Sequence, residues 1–333
     1  MNAAKQWTDE EKRQLKIFAI VNFGLTILMG IVMGISYHQG NDVTMFASTQ
    51  MMYPAAGVIL ALFMTAGKER KLPMKFFITY LVTALLALLL TIGSVILPGT
   101  MWFLVQNYVF MIGSVVAWIM LLVEKKDIRD EFVLRFGGHG TRKSFLMMLL
   151  FLGLYILRIF LAGLTDGSIG EVAMIFASPQ TWIMMGVVVI NFFLTFIIFF
   201  GEEYGWRYFL QPLFQKRFGL KAGVILVGVI WGLWHFPINV FYYSPDTWIY
   251  SILIHQITCI SFAIFFGYAY KKTGNMWVPI VIHYINNNMG AVLTGSTDLG
   301  NQVYGWKEVL LILVLNGILF VPFLFTKAYK EEK

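Results

Sequence analysis

Residues 182–207 read WIMMGVVVINFFLTFIIFFGEEYGWR, an apolar stretch that ends in two carboxylates and an arginine. Its first 19 residues carry no charge and are numerous enough to cross the hydrocarbon core of a bilayer as a helix. A charged side chain at the bilayer centre costs roughly 2.5–3.5 kcal/mol on insertion scales. Charges at this depth are a functional-site hypothesis by default, so Glu202, Glu203 and Arg207 form the first candidate site.

The composition of the whole chain indicates the same class of structure. Hydrophobic residues make up 58% of the chain and charged residues 13%, whereas a soluble domain carries about 25% charged residues. The predicted fold class is therefore all-α, a polytopic bundle of transmembrane helices. The net charge of +7 arises in short loops, which indicates topology and anionic lipid contact rather than nucleic-acid binding. The single cysteine, Cys259, excludes an intramolecular disulfide and a cysteine-ligated metal cluster.

Apolar runs divide the chain into about ten predicted spans. The predicted spans are 16–37, 44–66, 74–97, 102–123, 144–163, 180–212, 220–238, 247–270, 276–293 and 307–326. Loops after even-numbered spans carry lysine and arginine, as at Arg70, Lys126 and Lys216. Loops after odd-numbered spans carry acids instead, as at Asp42 and Asp246. The positive-inside rule then predicts that both termini are cytoplasmic.

A charged stretch at 124–143 separates two predicted regions. Residues 1–143 are predicted to form an N-terminal four-helix membrane region, and residues 144–333 a six-helix domain that carries the candidate catalytic motifs. The first apolar run has no clear cleavage site, so we interpret it as a retained helix. Together with the short loops and the single cysteine, this favours a multi-pass protein of a bacterial plasma membrane, and leaves an endoplasmic-reticulum location open.

Helical geometry separates the roles of the two glutamates. Glu203 and Arg207 are four residues apart on one helix face, in the favourable acid-first order, and are predicted to form an ion pair. Glu202 points about 100° away from Glu203 and is left unpaired. A carboxylate without a cationic partner is suited to accept a proton from water as a general base.

Two later apolar segments contribute imidazole and amide groups. His283 and Asn287 are four residues apart, so both side chains reach one point and can donate hydrogen bonds to a developing oxyanion. Asn286 is an alternative to Asn287 for this role. His235 precedes Pro237, which is predicted to end or kink its helix and to open space near the imidazole.

These motifs resemble those of a known family. The order Glu-Glu-x-x-x-Arg, aromatic-x-x-x-His and His-x-x-x-Asn on separate membrane helices is similar to the CAAX protease and bacteriocin-processing (CPBP, or Abi) family. That family includes the type II CAAX prenyl endopeptidases. The matching residues here are Glu202, Glu203, Arg207, Trp231, His235, His283 and Asn287. The resemblance covers residues 180–295, and its one departure is Trp231 where the family usually has phenylalanine.

The resemblance implies an intramembrane endopeptidase, a hydrolase in which a glutamate and a histidine activate water. These roles fall on Glu202 and His235, with His283 and Asn287 holding the oxyanion. Family members are often labelled metalloproteases, and Glu202, His235 and His283 could supply a zinc site. The chain has no His-Glu-x-x-His, and Asn287 favours stabilisation by hydrogen bonds. We therefore assign no metal and predict a metal-independent mechanism, with zinc or another divalent metal left open.

The predicted partners are a membrane-associated peptide or protein substrate and the lipid bilayer, without nucleic acid. A prenylated substrate is implied by the family name alone, and a bacterial source favours a leader peptide, a bacteriocin precursor or a membrane-protein segment. One alternative is a non-catalytic immunity or scaffold protein of the same fold. A proton-coupled transporter using Glu202 and Glu203 is a second alternative, although the sequence shows no inverted repeat.

Three further polar residues receive simpler interpretations. Arg158 could neutralise a substrate carboxylate, but an ion pair with Glu171 or contact with the outer interface is favoured. His255 is interpreted as a packing residue. Cys259 is interpreted as a small buried hydrophobic residue.

Overall fold

The computed structural model describes residues 6–67, 69–136, 140–294 and 299–330, and no strand occurs among them. The α-helices are α1 Asp9–His38, α2 Thr44–Gln50, α3 Tyr53–Thr65, α4 Met74–Ile96, α5 Met101–Val123, α6 Lys126–Glu131, α7 Thr141–Asp166, α8 Ile169–Ala177, α9 Pro179–Glu203, α10 Gln211–Phe218, α11 Leu220–Trp234, α12 Phe236–Ile238, α13 Trp248–Thr273, α14 Trp277–Thr294 and α15 Trp306–Leu319. Two π-helical turns are Tyr204–Leu210 and Asn239–Tyr243, and short 3₁₀ turns are Pro245–Thr247, Val321–Phe325 and Lys327–Tyr329.

The predicted polytopic helical bundle is confirmed. Within the described ranges, eight helical segments are long and apolar enough to cross a membrane. A ninth candidate is a pair of helices, Leu220–Trp234 and Phe236–Tyr243, bent by 44° where Pro237 was predicted to kink the chain. Helix α14 corresponds to another predicted span, but it is not among these candidates. Its histidine and asparagines make it more polar than a typical membrane helix.

Several basic loops meet on one face of the bundle, which we call the basic face. Lys216 Nζ lies 2.8 Å from Glu11 Oε2, which brings the N-terminal segment to the end of α10. Arg70 Nε lies 3.0 Å from Glu131 Oε1 and joins the α3–α4 loop to α6. The structure thus gathers loops after even-numbered predicted spans on one side. The orientation of this face in a membrane stays a prediction.

Loops after odd-numbered predicted spans meet at the other end, which we call the opposite face. The backbone N–H of Asn301 donates to the carbonyl of Tyr242 at 3.0 Å. The backbone N–H of Tyr304 donates to Thr247 Oγ1 at 2.9 Å. These bonds hold the segment before α15 against the turn before α13. The two ends of the bundle are therefore chemically distinct.

The N-terminal helices support the later helices directly. Buried Gln50 of α2 donates through Nε2 to the carbonyl of Trp234 at 2.7 Å. The Trp234 indole N–H donates in turn to buried Asn22 of α1 at 3.0 Å. These two bonds fix the end of α11 just before His235. The predicted boundary at residue 143 stays a prediction, but one hydrophobic core includes residues from both sides of it.

The predicted sixth span is a long helix. It runs from Pro179 to Phe218, 40 residues, and contains the π-helical turn Tyr204–Leu210. This turn immediately precedes Pro212, which lacks an N–H and crowds the carbonyl one turn earlier. A wider π turn relieves that clash without breaking the helix, and such turns occur frequently at functional sites.

Helix α9 approaches its neighbours most closely at a glycine. A Cβ on Gly201 would meet the Met51 carbonyl oxygen and would lie 2.6 Å from the Tyr80 hydroxyl. Gly186 in the same helix has no atom within 4 Å of the equivalent position. Small residues let membrane helices pack by direct backbone contact.

We expect Gly201→Ala to destabilise the protein by about 1–3 kcal/mol, because the added methyl group overpacks this contact. Gly186→Ala is the matched control and should leave stability unchanged or slightly higher. Thermal unfolding of the purified protein in detergent measures both. Equal melting temperatures for the two variants would contradict the close contact between α9 and the α2–α3 region.

Candidate active site

Glu202 lies at the end of α9 and is held by two tryptophans. The carboxylate is 2% exposed, and its Oε2 accepts a hydrogen bond from the Trp231 indole N–H at 2.6 Å. The Trp206 indole N–H donates to the same oxygen at 3.4 Å. Both donors are neutral, and Glu202 forms no salt bridge with any residue that the structure describes. The expectation that Glu202 has no cationic partner agrees with this geometry, although the carboxylate is not free of hydrogen bonds.

Glu203 and Arg207 form the ion pair that their spacing predicts. Arg207 Nη1 lies 3.0 Å from Glu203 Oε1, and both side chains are fully buried. The guanidinium also lies over the Trp231 ring, with 4.1 Å between its carbon and the ring centroid. Trp231 therefore contacts both parts of the motif, because its N–H reaches Glu202 and its face contacts Arg207. This arrangement gives the tryptophan a clear role at the position where the family usually has phenylalanine.

His283 joins the same group from α14. Its Nδ1 lies 2.8 Å from Glu203 Oε1, the oxygen that also contacts Arg207. The ring is packed edge-on between Phe199, at 5.4 Å, and Trp231, at 5.5 Å between centroids. A carboxylate only accepts hydrogen bonds, so Nδ1 carries the proton in this contact. The bond to Glu203 is a feature that spacing within one helix could not predict.

His235 lies at the bend between α11 and α12. Its Nδ1 is 2.7 Å from the backbone carbonyl oxygen of Trp231. A carbonyl accepts and cannot donate, so Nδ1 is the protonated nitrogen of the ring. In the neutral imidazole, Nε2 is then a hydrogen-bond acceptor. The bend at Pro237 interrupts the helix next to this ring.

The two adjacent asparagines of α14 hold each other. Asn286 Nδ2 donates to Asn287 Oδ1 at 2.9 Å. This bond occupies the Asn287 oxygen and leaves its Nδ2 as the group available for donation. The geometry gives Asn286 a supporting position rather than making it a replacement for Asn287.

One cavity brings the predicted catalytic residues together. It has a volume of about 270 Å³, and Glu202, His235, His283 and Asn287 all line it. Trp231 and Asn286 line the same cavity. Glu203 and Arg207 do not line the cavity. They contact two residues that do, because Glu203 bonds to His283 and Arg207 packs on Trp231. Side chains that are far apart in sequence thus share one cavity within the helical bundle.

Three cavity residues are missed by reasoning from sequence. His255 stacks on His235 with 5.1 Å between centroids and on Tyr243 with 4.9 Å. Cys259 Sγ lies 3.9 Å from His235 Nδ1. His255 and Cys259 line the cavity together with Tyr243, so packing alone does not describe their positions. Their spacing of four residues on α13 is the signal that could have placed both on one face.

Arg158 has contacts that differ from its favoured interpretation. Its Nη1 donates to Asn316 Oδ1 at 3.3 Å, and its guanidinium lies 4.7 Å from the centroid of Tyr155. Within the described residues it forms no ion pair with Glu171. Packing between α7 and α15 turns the side chain into the bundle, which a hydropathy pattern does not specify.

Glu202, His235 and His283 are the side chains that could hold a zinc ion. In the part of the chain that the structure describes, no group of three His, Cys, Asp or Glu side chains is placed to hold a metal ion. The Nδ1 atoms of His283 and His235 contact Glu203 and a backbone carbonyl, as zinc-ligating histidines also do with their second nitrogen, so these contacts do not exclude a metal. The residues do not fit a ready-made zinc site, so no mechanistic step is derived through a metal here.

The part of the chain that carries the candidate catalytic residues matches a known family model. Residues 181–289, about a third of the chain, match the family model described as type II CAAX prenyl endopeptidase Rce1-like. This segment is therefore similar to an Rce1-like domain. The match confirms the family resemblance, and it extends from α9 to α14 and includes every predicted catalytic residue. No curated protein and no solved structure matches the chain.

Within the Rce1-like segment, Arg207→Ala should lower the free energy of unfolding by about 3–5 kcal/mol, because it leaves Glu203 buried without its cation. Arg217→Ala, a partly exposed arginine on α10, is the control and should change stability by less than about 1 kcal/mol. Thermal unfolding in detergent measures both. Glu203→Gln combined with Arg207→Met should recover part of the loss, since it removes both charges. Normal stability of Arg207→Ala would contradict the buried pair.

Proposed function

We propose that this protein is an intramembrane endopeptidase that hydrolyses a peptide bond of a membrane-associated peptide or protein. The observation that carries the proposal is the single cavity lined by Glu202, His235, His283 and Asn287. The match to the Rce1-like family supports a membrane protease of the CAAX type. Enclosure within apolar helices suits this chemistry, because electrostatic interactions are stronger away from bulk water.

In the proposed mechanism, Glu202 and His235 activate a water molecule. Both indole bonds reach Glu202 Oε2, which leaves Oε1 as the oxygen that accepts the proton from water. His235 Nε2 is the acceptor that orients the second hydrogen of that water. The hydroxide attacks the carbonyl carbon, and its electron pair forms the new C–O bond while the π pair of the C=O bond moves onto the oxygen. Glu202 then returns the proton to the leaving nitrogen as the C–N bond breaks. The oxyanion pair re-forms C=O when the leaving nitrogen departs with the C–N electrons.

The proposed oxyanion site uses the other two residues. Asn287 donates through Nδ2, because Asn286 holds its oxygen. His283 donates through Nε2 when it is an imidazolium whose Nδ1–H is held by Glu203. The charges of Glu202, Glu203, Arg207 and that imidazolium then sum to zero, which favours their burial together. Two donors aimed at a developing oxyanion are typical of acyl-transfer sites.

For the substrate and the cellular location, we propose only general classes. A leader peptide, a bacteriocin precursor, a membrane-protein segment or a prenylated peptide each fits a membrane endopeptidase. The apolar helices and the family match support a multi-pass membrane protein. A bacterial plasma membrane, cytoplasmic termini and metal independence remain proposals, together with the division into a four-helix region and a catalytic domain.

Glu202→Gln is expected to lower cleavage by about 10²–10⁴-fold, because the amide cannot take a proton from water. The fold should survive, since the amide oxygen still accepts from the Trp231 indole. Comparative peptidomics of membranes that contain the intact protein or the variant measures the effect and identifies the substrate. Glu171→Gln, an exposed acid on α8, is the matched control and should cleave normally.

Further variants and a transport assay distinguish the proposed function from its alternatives. Function that survives Glu202→Gln, His235→Ala and His283→Ala separately would favour an immunity or scaffold protein. Proton-coupled uptake into liposomes that persists without both histidines would favour a transporter.

A strong metal chelator should leave cleavage unchanged, and loss of activity that added zinc restores would overturn metal independence.

Asn287→Ala should lower kcat by about 10²–10³-fold with little change in KM, because an oxyanion donor acts mainly in the transition state. Asn286→Ala should have a smaller effect, since it removes only the bond that orients Asn287. Steady-state kinetics with a peptide identified by peptidomics distinguishes the two. A larger loss for Asn286→Ala would reverse these assignments.

A further inference from the structure

A second cavity adjoins the active-site cavity. It has a volume of about 460 Å³ and shares the lining residues Thr44, Phe103 and Tyr242 with the active-site cavity. We call this second cavity the vestibule. Its remaining lining residues are Tyr37, Asn41, Asp42, Val43, Phe241, Gly300 and Asn301. The three shared residues therefore form the boundary between a deep catalytic space and a more polar outer space.

The vestibule lies at the opposite face, away from the basic loops. Asn41 and Asp42 belong to the turn between α1 and α2, and Gly300 and Asn301 precede α15. The backbone N–H of Gln302 donates to the Tyr243 carbonyl at 2.7 Å and fixes this second segment beside the cavity. Both segments follow odd-numbered predicted spans. The catalytic cavity thus adjoins the membrane face that carries few basic residues.

The outer part of this path carries an acidic residue and, among the described residues, no basic one. No lysine or arginine lines either cavity in the described residues. Asp42 is exposed at the outer end, and Glu202 lies at the inner end. The Asp42 carboxylate therefore attracts a basic peptide segment and repels an acidic one, while an uncharged segment is tolerated.

We propose that the substrate peptide enters through the vestibule from the extracytoplasmic side of the membrane. The proposal rests on the proposed endopeptidase function. Its topological part follows from the positive-inside rule, which assigns the basic face to the cytoplasm. The substrate is then a basic or uncharged segment that is exposed on the outer surface, such as the flank of a transmembrane or exported peptide. A lipid-anchored C-terminus on the basic face would have to cross the bilayer to reach the vestibule.

Cysteine labelling tests the orientation without any requirement for activity. In a Cys259→Ala background, Asp42→Cys lies at the vestibule and Lys126→Cys on the basic face, and both native residues are exposed. A membrane-impermeant maleimide should label Asp42→Cys in intact cells and Lys126→Cys only after permeabilisation. The reverse pattern would overturn the proposal.

Sidedness of cleavage tests the route itself. A pool of synthetic quenched fluorescent peptides is added outside sealed right-side-out or inverted membrane vesicles. We expect cleavage by right-side-out vesicles, and by inverted vesicles only after detergent is added. Cleavage by intact inverted vesicles alone would overturn the entry route and leave the endopeptidase intact. Absence of Glu202-dependent cleavage even in detergent would count against the proposed function, while labelling still decides the orientation.

A charge reversal tests the role of the vestibule in substrate choice. Asp42→Lys should lower kcat/KM for lysine-containing peptides by up to about fivefold and raise it for glutamate-containing ones, the range expected for exposed charges. Asp246→Lys is the matched control, because Asp246 is exposed on the same face but lines neither cavity. Equal effects of both variants would show that only the general surface charge matters and would overturn the vestibule as a subsite.

Discussion

The buried contact between Arg207, Glu203 and His283 is the constraint on which the site depends. One carboxylate oxygen contacts the guanidinium at 3.0 Å and the imidazole at 2.8 Å. A low-dielectric interior makes such charges costly unless each is paired. Trp231 connects this group to Glu202, because its ring faces the Arg207 guanidinium and its N–H donates to the Glu202 carboxylate. The proposed catalytic acid–base group is thus positioned by a structural ion pair that does not itself line the cavity.

Irregular backbone surrounds this charged centre on two sides. A π-helical turn follows Glu203 directly, and the chain bends by 44° at His235. Non-helical backbone is tolerated at membrane depth only where protein or a wet cavity satisfies its polar groups. At the bend, Gln50 from α2 accordingly donates to the carbonyl of Trp234. The N-terminal helices therefore help the catalytic segment to depart from regular helical geometry.

Local spacing was sufficient to predict the parts of the site that lie on one helix. The Glu203–Arg207 pair needs only the helical period, and so does the common face of His283 and Asn287. The bond from His283 to Glu203 depends on the packing of α14 against α9, which no single periodicity contains. His255 was interpreted as a packing residue for the same reason, since its stacking on His235 arises from tertiary contact. The predicted span 276–293 corresponds to α14, although the candidate histidine and asparagines make this helix more polar than a typical membrane helix.

The proposed catalytic residues lie inside the family match, whereas most residues of the proposed entrance lie outside it. The Rce1-like match covers residues 181–289, whereas Asn41, Asp42, Phe103 and Asn301 at the vestibule lie outside it. The match therefore supports a membrane protease of the CAAX type, but it does not extend to most residues at the proposed entrance and so says little about a prenylated substrate.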